Sequence, residues 1–187
     1  MGRRYSHIND KLKAFIEGQK LFFVGTAAAD GRINVSPKGL DSLRILDRNR
    51  VMWLNLTGSG NETAAHVREL DRMPLMFCAF DGSPLILRLY GHARAIHRHD
   101  PDWETSYALF NPLPGARQIF DMQVDLVQTS CGMGVPLYDY AGDREQLIDW
   151  ATRKGEPGLK KYRQEKNRTS LDGKPAYIKG NRDEEPD

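Results

Sequence analysis

One stretch combines the residue types that hold an anion: Trp53-Leu-Asn-Leu-Thr57-Gly58-Ser59-Gly60-Asn61-Glu62-Thr63. A strand-like apolar run gives way to glycines and hydroxyls. Asn61 then stands where it can cap the short helix predicted through Leu70. The first turn of a helix offers unpaired N–H groups and a partial positive charge, and glycines let a ligand approach the backbone. Such a junction suits a phosphate, although on spacing alone an ordinary capped helix after a Gly-rich turn fits equally well. Gly58-Ser-Gly60 also opens a dinucleotide fingerprint, with Asp81 at a fitting distance beyond. Thr63 occupies the place of the third glycine, however, and the flanking strands read as hairpins, which argues against a βαβ unit.

A second stretch, Arg32-Ile-Asn-Val-Ser36-Pro37-Lys38-Gly39, places a cation, a hydroxyl and a permissive backbone at a strand end. Lys38 can supply the point charge that a helix terminus lacks; a solvated surface cation is the commoner fate of such a residue. Other groups carry less. His97-Arg-His99 followed by Asp100 has no evident third metal ligand and reads as a polar strand end. His66 reads as a surface or interface histidine. Cys131 has no assigned base and reads as a small packed residue rather than a reactive thiol. Gly58-Ser59-Gly60 lacks the spacing of a nucleophile elbow. The basic run from Lys160 to Arg168 reads as a solvated helix face.

The elements that position these groups follow from apolar spacing. Asn9 caps a helix carrying Leu12, Phe15 and Ile16 and ending near Gly18. Leu21 to Ala29 predicts a buried strand, Asp30-Gly31 a tight turn, and Arg32 to Ser36 the returning strand. Leu43 to Leu46 and Val51 to Leu56 form a further pair across the polar break at Asp47 to Arg50. Pro74 to Phe80 and Leu85 to Ile96 are strands, and Gly91 in the second marks a bulge or a close backbone approach. Asp100-Pro101 starts a helix through Leu109. Phe120, Met122, Val124 and Leu126 then alternate in a half-buried strand ending at Cys131. From Asp143 a helical extension with Leu147, Ile148 and Trp150-Ala151 runs past Gly155-Glu-Pro-Gly. Six or seven strands joined by turns predict a small closed or partly open barrel with covering helices.

Composition bounds the function classes. A chain of 187 residues with 27 Lys+Arg against 25 Asp+Glu carries a formal charge of +2, too near balance for a dedicated nucleic-acid binder. Two cysteines exclude a disulfide framework, and no Cys pair has zinc-finger spacing. The N-terminal residues lack the apolar core of a signal peptide, and no run approaches the roughly 20 apolar residues that cross a bilayer. The expectation is a soluble protein of the reducing cytoplasm, binding no metal, nucleic acid or membrane.

Four stretches carry a resemblance when taken together and in order. They are Ser36-Pro-Lys-Gly39, Trp53-Leu-Asn-Leu-Thr-Gly-Ser-Gly-Asn-Glu-Thr-Ala-Ala-His66, Leu87-Arg-Leu-Tyr-Gly-His-Ala-Arg94 and Gln128-Thr-Ser-Cys-Gly-Met-Gly-Val-Pro136. As a set they resemble the pyridoxamine 5′-phosphate oxidase-related FMN-binding family, over about three quarters of the chain. Asn167-Arg-Thr-Ser-Leu-Asp-Gly-Lys-Pro175 resembles the tail of one branch of it. The resemblance implies a mainly β fold with covering helices, a six-stranded antiparallel split β-barrel, and a homodimer with FMN in a cleft between subunits. The implied organisation is an FMN-binding domain at 1–140, a C-terminal helical extension packing on it at 141–180, and a disordered tail at 181–187.

By the same resemblance, Ser36, Pro37, Lys38 and Gly39 approach the flavin, and Trp53, Leu54 and Asn55 line its ring. Ser59, Gly60, Asn61, Glu62 and Thr63 surround the ribityl phosphate, and Cys131 and Gly132 come near the flavin from either subunit. The implied activity is transfer of hydride or electrons between flavin and a small-molecule substrate or NAD(P)H. No catalytic side chain is assigned, because the flavin carries the chemistry. The alternatives are a non-catalytic flavin-binding module, or a haem- or deazaflavin-binding member of the same fold. The chain departs from the true B6 oxidase, which binds the flavin phosphate with an Arg and a Lys on one strand followed by Ser-Arg-Lys. Here that run is Ser-Gly-Asn-Glu-Thr, and the C-terminal Arg-X-His pair of that enzyme is missing, which places the B6 oxidase reaction outside what the resemblance implies.

Overall fold

The computed structural model describes residues 2–176; the tail expected at 181–187 and the end of the 141–180 extension lie outside them. The strands are β1 (Arg3–Tyr5), β2 (Phe22–Thr26), β3 (Asn34–Lys38), β4 (Leu43–Asp47), β5 (Arg50–Leu56), β6 (Arg72–Cys78), β7 (Ile86–His97) and β8 (Ala116–Ser130). Helices α1 (Asp10–Gly18), α2 (Glu62–Glu69), α3 (Trp103–Tyr107) and α4 (Gln146–Lys166) accompany them. The fold is mainly β with covering helices, as expected. Its sheet has eight strands and is open, where six in a barrel were expected.

The order is β3-β2-β6-β7-β8-β5-β4, with β1 added on β8. β3 and β4 stand at opposite ends of that order, yet only residues 39–42 join them. From Lys38 to Leu43 the backbone reaches at most about 18 Å, whereas seven flat strands would hold their outer members about 29 Å apart. The sheet is therefore rolled until its two edges approach, with no ladder between them among the described residues.

The inner face of the roll carries the larger core, including Val24, Trp53, Leu75, Phe77, Leu89 and Phe120, closed by Leu12 and Ile16 of α1 and by Ala64, Ala65 and Val67 of α2. β5 is buried on both faces. Val51 and Trp53 point inward, while Met52 and Leu54 join a second cluster with Ile96, Trp103, Phe110 and Ile119. Two-sided burial is the reason its sequence is an unbroken apolar run.

The long central strands are bent where the sequence places a glycine. A Cβ on Gly91 would lie 1.9 Å from Gln123 O, so the backbones approach as only glycine allows. The β7–β8 register shifts at Tyr90/Gly91 and leaves Asp125 as the extra residue on β8. The expected alternation consequently slips: Phe120, Met122 and Val124 face the core, but Val127 rather than Leu126 takes the next inward position.

One edge of β8 is shared, with β5 on Ala116 to Gln123 and β1 on Val127 to Thr129. Asn49 fills the junction, donating from Nδ2 to Ser6 O (2.7 Å) and Val124 O (2.9 Å). Two expected boundaries also move. The Asp30-Gly31 turn belongs to a wider connection, residues 27–33. The helix expected from Asp100 begins at Trp103, because the Asp100 carboxylate accepts from His97 N (2.8 Å) and closes the strand end instead.

α4 breaks at Gly155 (φ 61°), and Pro157 restarts it in a first turn, where proline is tolerated. The halves fold back on each other, bringing Trp150 and Tyr162 edge to face at 5.0 Å. Beyond α4, Asp172 pairs with Arg32, Lys174 pairs with Asp30 and Glu69, and Ala176 enters the main core.

Candidate functional site

Pleating gives β3 two unlike faces. Asn34, Ser36 and Lys38 turn inward and are half-buried, whereas Val35 and Pro37 are exposed. Asn34 Nδ2 donates to Thr26 Oγ1 (3.3 Å) and to Thr63 Oγ1 (3.2 Å), tying the first turn of α2 to the strand. At the other end Lys38 Nζ lies 5.1 Å from the centroid of the Trp53 ring, which stacks on Phe120 at 4.7 Å. The inward side of β3 thus runs for roughly 13 Å, from the start of α2 to the buried Trp53–Phe120 stack.

The loop between β5 and α2 is held from beneath. Asn167 Nδ2 donates to Gly58 O (3.1 Å) and Ser59 O (3.4 Å), and Arg117 Nη1 donates to Gly60 O (3.0 Å). In a trans peptide the C=O of one residue and the N–H of the next point in opposite directions. With three successive carbonyls turned into the protein, the amides of Ser59, Gly60 and Asn61 turn outward, where Ser59 and Gly60 are exposed. Asn61 does not cap α2: no side chain does, and Asn61 Nδ2 donates instead to Asn167 O (2.9 Å).

Positive charge gathers under this loop. Arg163 is 6% exposed and donates to Thr57 Oγ1 (2.9 Å), Ala116 O (3.2 Å) and the Glu156 carboxylate (3.1 Å). Arg117 is 5% exposed, and Gly60 O is the partner its side chain has. Burial, then the Arg163 charge, pull Arg117 down to about 9. Burial, then the Arg117 charge, bring Lys38 from 10.5 to about 8. Each group is still protonated at neutral pH, and each is held in a field that disfavours its charge.

Six buried side-chain polar atoms among the described residues have no hydrogen-bond partner. They are Ser36 Oγ on β3, Asn61 Oδ1 and His66 Nε2 on α2 and its approach, Arg117 Nε and Gln118 Nε2 on β8, and Asn167 Oδ1 after α4. Each such atom costs about 1–3 kcal/mol if it stays unpaired, so those on β3 and at the loop, Ser36 Oγ, Asn61 Oδ1 and Arg117 Nε, fit a polar ligand. Gln118 and Asn55 lie side by side, with Asn55 Nδ2 donating to Gln118 Oε1 (3.1 Å).

The structure brings together most of the residues singled out from the sequence. Ser36, Lys38, Trp53, Asn55, Ser59, Gly60, Asn61 and Thr63 stand along one side of the rolled sheet. Others are elsewhere. Pro37 faces out, Leu54 is locked in the second core, and Glu62 accepts from Leu171 N (3.0 Å). Gly39 O accepts from Ser42 Oγ (2.8 Å) as the chain turns into β4, beside a cavity of about 330 Å³ lined by Ile16, Lys20, Phe22, Arg44 and Phe77. Cys131 and Gly132 follow the far end of β8, roughly 45 Å along the strand from Ala116.

Three expectations are corrected. Cys131 is exposed, not packed, because the chain leaves the sheet there at Gly132, whose φ of 67° and contact with Leu85 N exclude a side chain. His66 is buried, with Nδ1 3.1 Å from Thr26 Oγ1, since it lies on the α2 face that packs on β2. Arg163 is buried beneath the loop rather than solvated. Arg117, Gln118, Arg163 and Asn167 escaped the sequence reading as site residues. The first two precede an apolar alternation that gives them no signal, and Arg163 is hidden in a basic run. Among the described residues no three His, Cys, Asp or Glu side chains converge as a metal site.

Residues 8–131 match the family model described as pyridoxamine 5′-phosphate oxidase. A relative, the pyridoxamine 5′-phosphate oxidase family protein ustO of Aspergillus flavus, is 36% identical, over 96% of this chain and 79% of its own. Two solved structures share the fold. One is a single-residue variant of HupZ from Group A Streptococcus, with a TM-score of 0.52 at 19% identity, covering 66% of this chain and 99% of its own. The other is a Lactobacillus delbrueckii candidate pyridoxamine 5′-phosphate oxidase, with a TM-score of 0.53 at 20% identity, covering 66% and 94%. On the strength of the family model and the relative together, the chain belongs to the pyridoxamine 5′-phosphate oxidase family.

Proposed function

We propose that the protein is an FMN-binding flavoprotein and an oxidoreductase, with the cofactor lying between the Gly58–Thr63 loop and β3. One observation carries the reading: Ser36 Oγ on β3, Asn61 Oδ1 in the loop and Arg117 Nε beneath it are buried without partners, and neither Lys38 nor Arg117 pairs with a carboxylate among the described residues. FMN offers a matching set of groups. Its phosphate is an anion for outward-turned amides, and its ring edge has polar groups for Ser36 and the Lys38 ammonium. When bound, the flavin supplies hydride or electron exchange with a small substrate or NAD(P)H. The chain's part is to orient and to exclude water. Lys38 would hold positive charge beside the ring edge, Asn34 fixes Thr63, and Asn55 holds the Gln118 amide in place.

A homodimer completes the reading, with the open roll acting as a split barrel. Ile33, just before β3, and Val35 on it, 76% and 66% exposed, form an apolar outer patch at a sheet edge, a feature that proteins in water tend to cover. Met133, Leu137 and Tyr138 are exposed beyond Cys131 and Gly132. A second copy would cover these surfaces and bring Cys131 and Gly132 to the other subunit's flavin. The free thiols fit a reducing cytoplasm, and no helix among the described residues is long and apolar enough to cross a membrane. The test is the visible spectrum of the purified protein with and without added FMN, with mass measured by size exclusion on the same sample. Flavin bands travelling with a dimer uphold the proposal; a folded protein that ignores FMN overturns it.

A further inference from the structure

We propose that β8 and the C-terminal helix build the phosphate cradle of this chain: Arg117, backed by Arg163 and Asn167, charges and orients the Gly58–Asn61 loop for a dianionic phosphoryl group. The inference rests on the FMN reading and extends it to residues that lie outside the loop. The sequence explains the need. Ser59-Gly60-Asn61-Glu62-Thr63 contains no cation, and Glu62 adds a negative charge at the first turn of α2. Backbone amides alone would face a dianion with nothing to balance it.

The structure supplies the balance from the opposite end of the chain. Arg117 and Arg163 bring two buried guanidinium groups under the loop, and Glu156, which also pairs with Arg98, bonds Arg163. Arg117 touches no carboxylate among the described residues, and its Nε has no partner. Such a charge is unfavourable in the ligand-free protein and becomes favourable when an anion arrives. Asn167, 0% exposed, holds two of the three carbonyls that must turn inward for the amides to turn out. Arg117 is therefore a positioning and charge-balancing residue acting through the loop.

The experiment compares wild type with Arg117→Met, Arg117→Lys and Asn167→Asp. FMN and riboflavin affinities are read by flavin fluorescence, and melting temperature is measured without flavin, with and without inorganic phosphate. In Arg117→Met we expect FMN affinity to fall about tenfold or more, riboflavin affinity to change less than about twofold, and the ligand-free melting temperature not to fall. Arg117→Lys should recover most of the preference for FMN over riboflavin. Asn167→Asp, nearly isosteric, should erode the same preference and serves if Arg117→Met does not fold. Equal losses for FMN and riboflavin, unrelieved by lysine, would mean a merely structural arginine and overturn the inference. So would an unchanged preference in the Met and Asp variants. If wild type ignores FMN yet is stabilised by phosphate only while Arg117 is present, the flavin proposal fails and the cradle stands. No response to either probe overturns both.

Discussion

Lys38→Met tests the ring end of the site, and its size can be worked from the structure. The ammonium sits half-buried at the end of β3, 5.1 Å from the Trp53 ring, with no ion pair among the described residues. Burial, then Arg117, lower it from 10.5 to about 8. The electron-rich polar edge of a bound flavin ring would favour the charged form, so binding takes up a proton as the pH passes about 8. Between pH 7 and 9 the FMN dissociation constant should rise about tenfold in wild type, and it should be flat in Lys38→Met. At pH 7 the variant should bind about 10- to 150-fold more weakly, which corresponds to about 1.5–3 kcal/mol for a charge-assisted contact.

The ligand-free protein should respond with the opposite sign. Because the folded state holds the lysine near 8 and the unfolded chain near 10.5, the unfolded chain binds more protons between those values. Stability therefore rises with pH across that window, by about 1–3 kcal/mol after allowance for solvent, and is flat below it. Lys38→Met should remove the rise and be the more stable protein at pH 7. Fluorescence titration and urea unfolding at pH 7, 8 and 9 measure both effects. An affinity within threefold of wild type, together with an unaltered pH profile, would remove Lys38 from the site.

Three further outcomes are expected. Gly91→Ala places a methyl 1.9 Å from Gln123 O, and should cost about 3 kcal/mol or more in urea unfolding or leave the protein insoluble. Asn49→Ala breaks the junction of β1, β5 and β8 and should cost about 1–3 kcal/mol, with faster hydrogen exchange at Arg3 to Tyr5. If the flavin lies between subunits, dilution that dissociates the dimer should release it; flavin that remains bound to a monomer would contradict that placement.

Much of the fold was legible because apolar periodicity survives in strands and helices that pack on one core. Gly91 was legible as well, since an isolated glycine inside a strand weakens it unless a bulge or a close backbone approach requires it. What was missed depends on partners distant in the chain. β1 is three residues of mixed polarity, and it is a strand only because β8 is longer than β5 and offers its remaining edge. Leu126 loses its inward position to a bulge that the pattern of β8 alone does not announce. At the site, the loop and Lys38 were visible from residue type, whereas Arg117, Arg163 and Asn167 act from 57, 106 and 109 residues away in sequence. An arginine in a basic run looks the same whether it is solvated or buried.

β3 joins the two halves of the functional argument. Its inward face carries Asn34, which ties α2 to the strand, and the unpaired Ser36 Oγ, and its outer face exposes Val35 and Pro37. Period-two alternation places both faces on the same five residues. β3 is also an edge strand, and residues 39–42 hold it against β4 without a ladder. Its own chain pairs it on one edge alone, with β2, so whatever covers either face adds to its hold. If FMN lies against one face and a second copy against the other, cofactor loading and subunit pairing should stabilise each other through this strand, beyond any contact the second copy makes with the flavin itself.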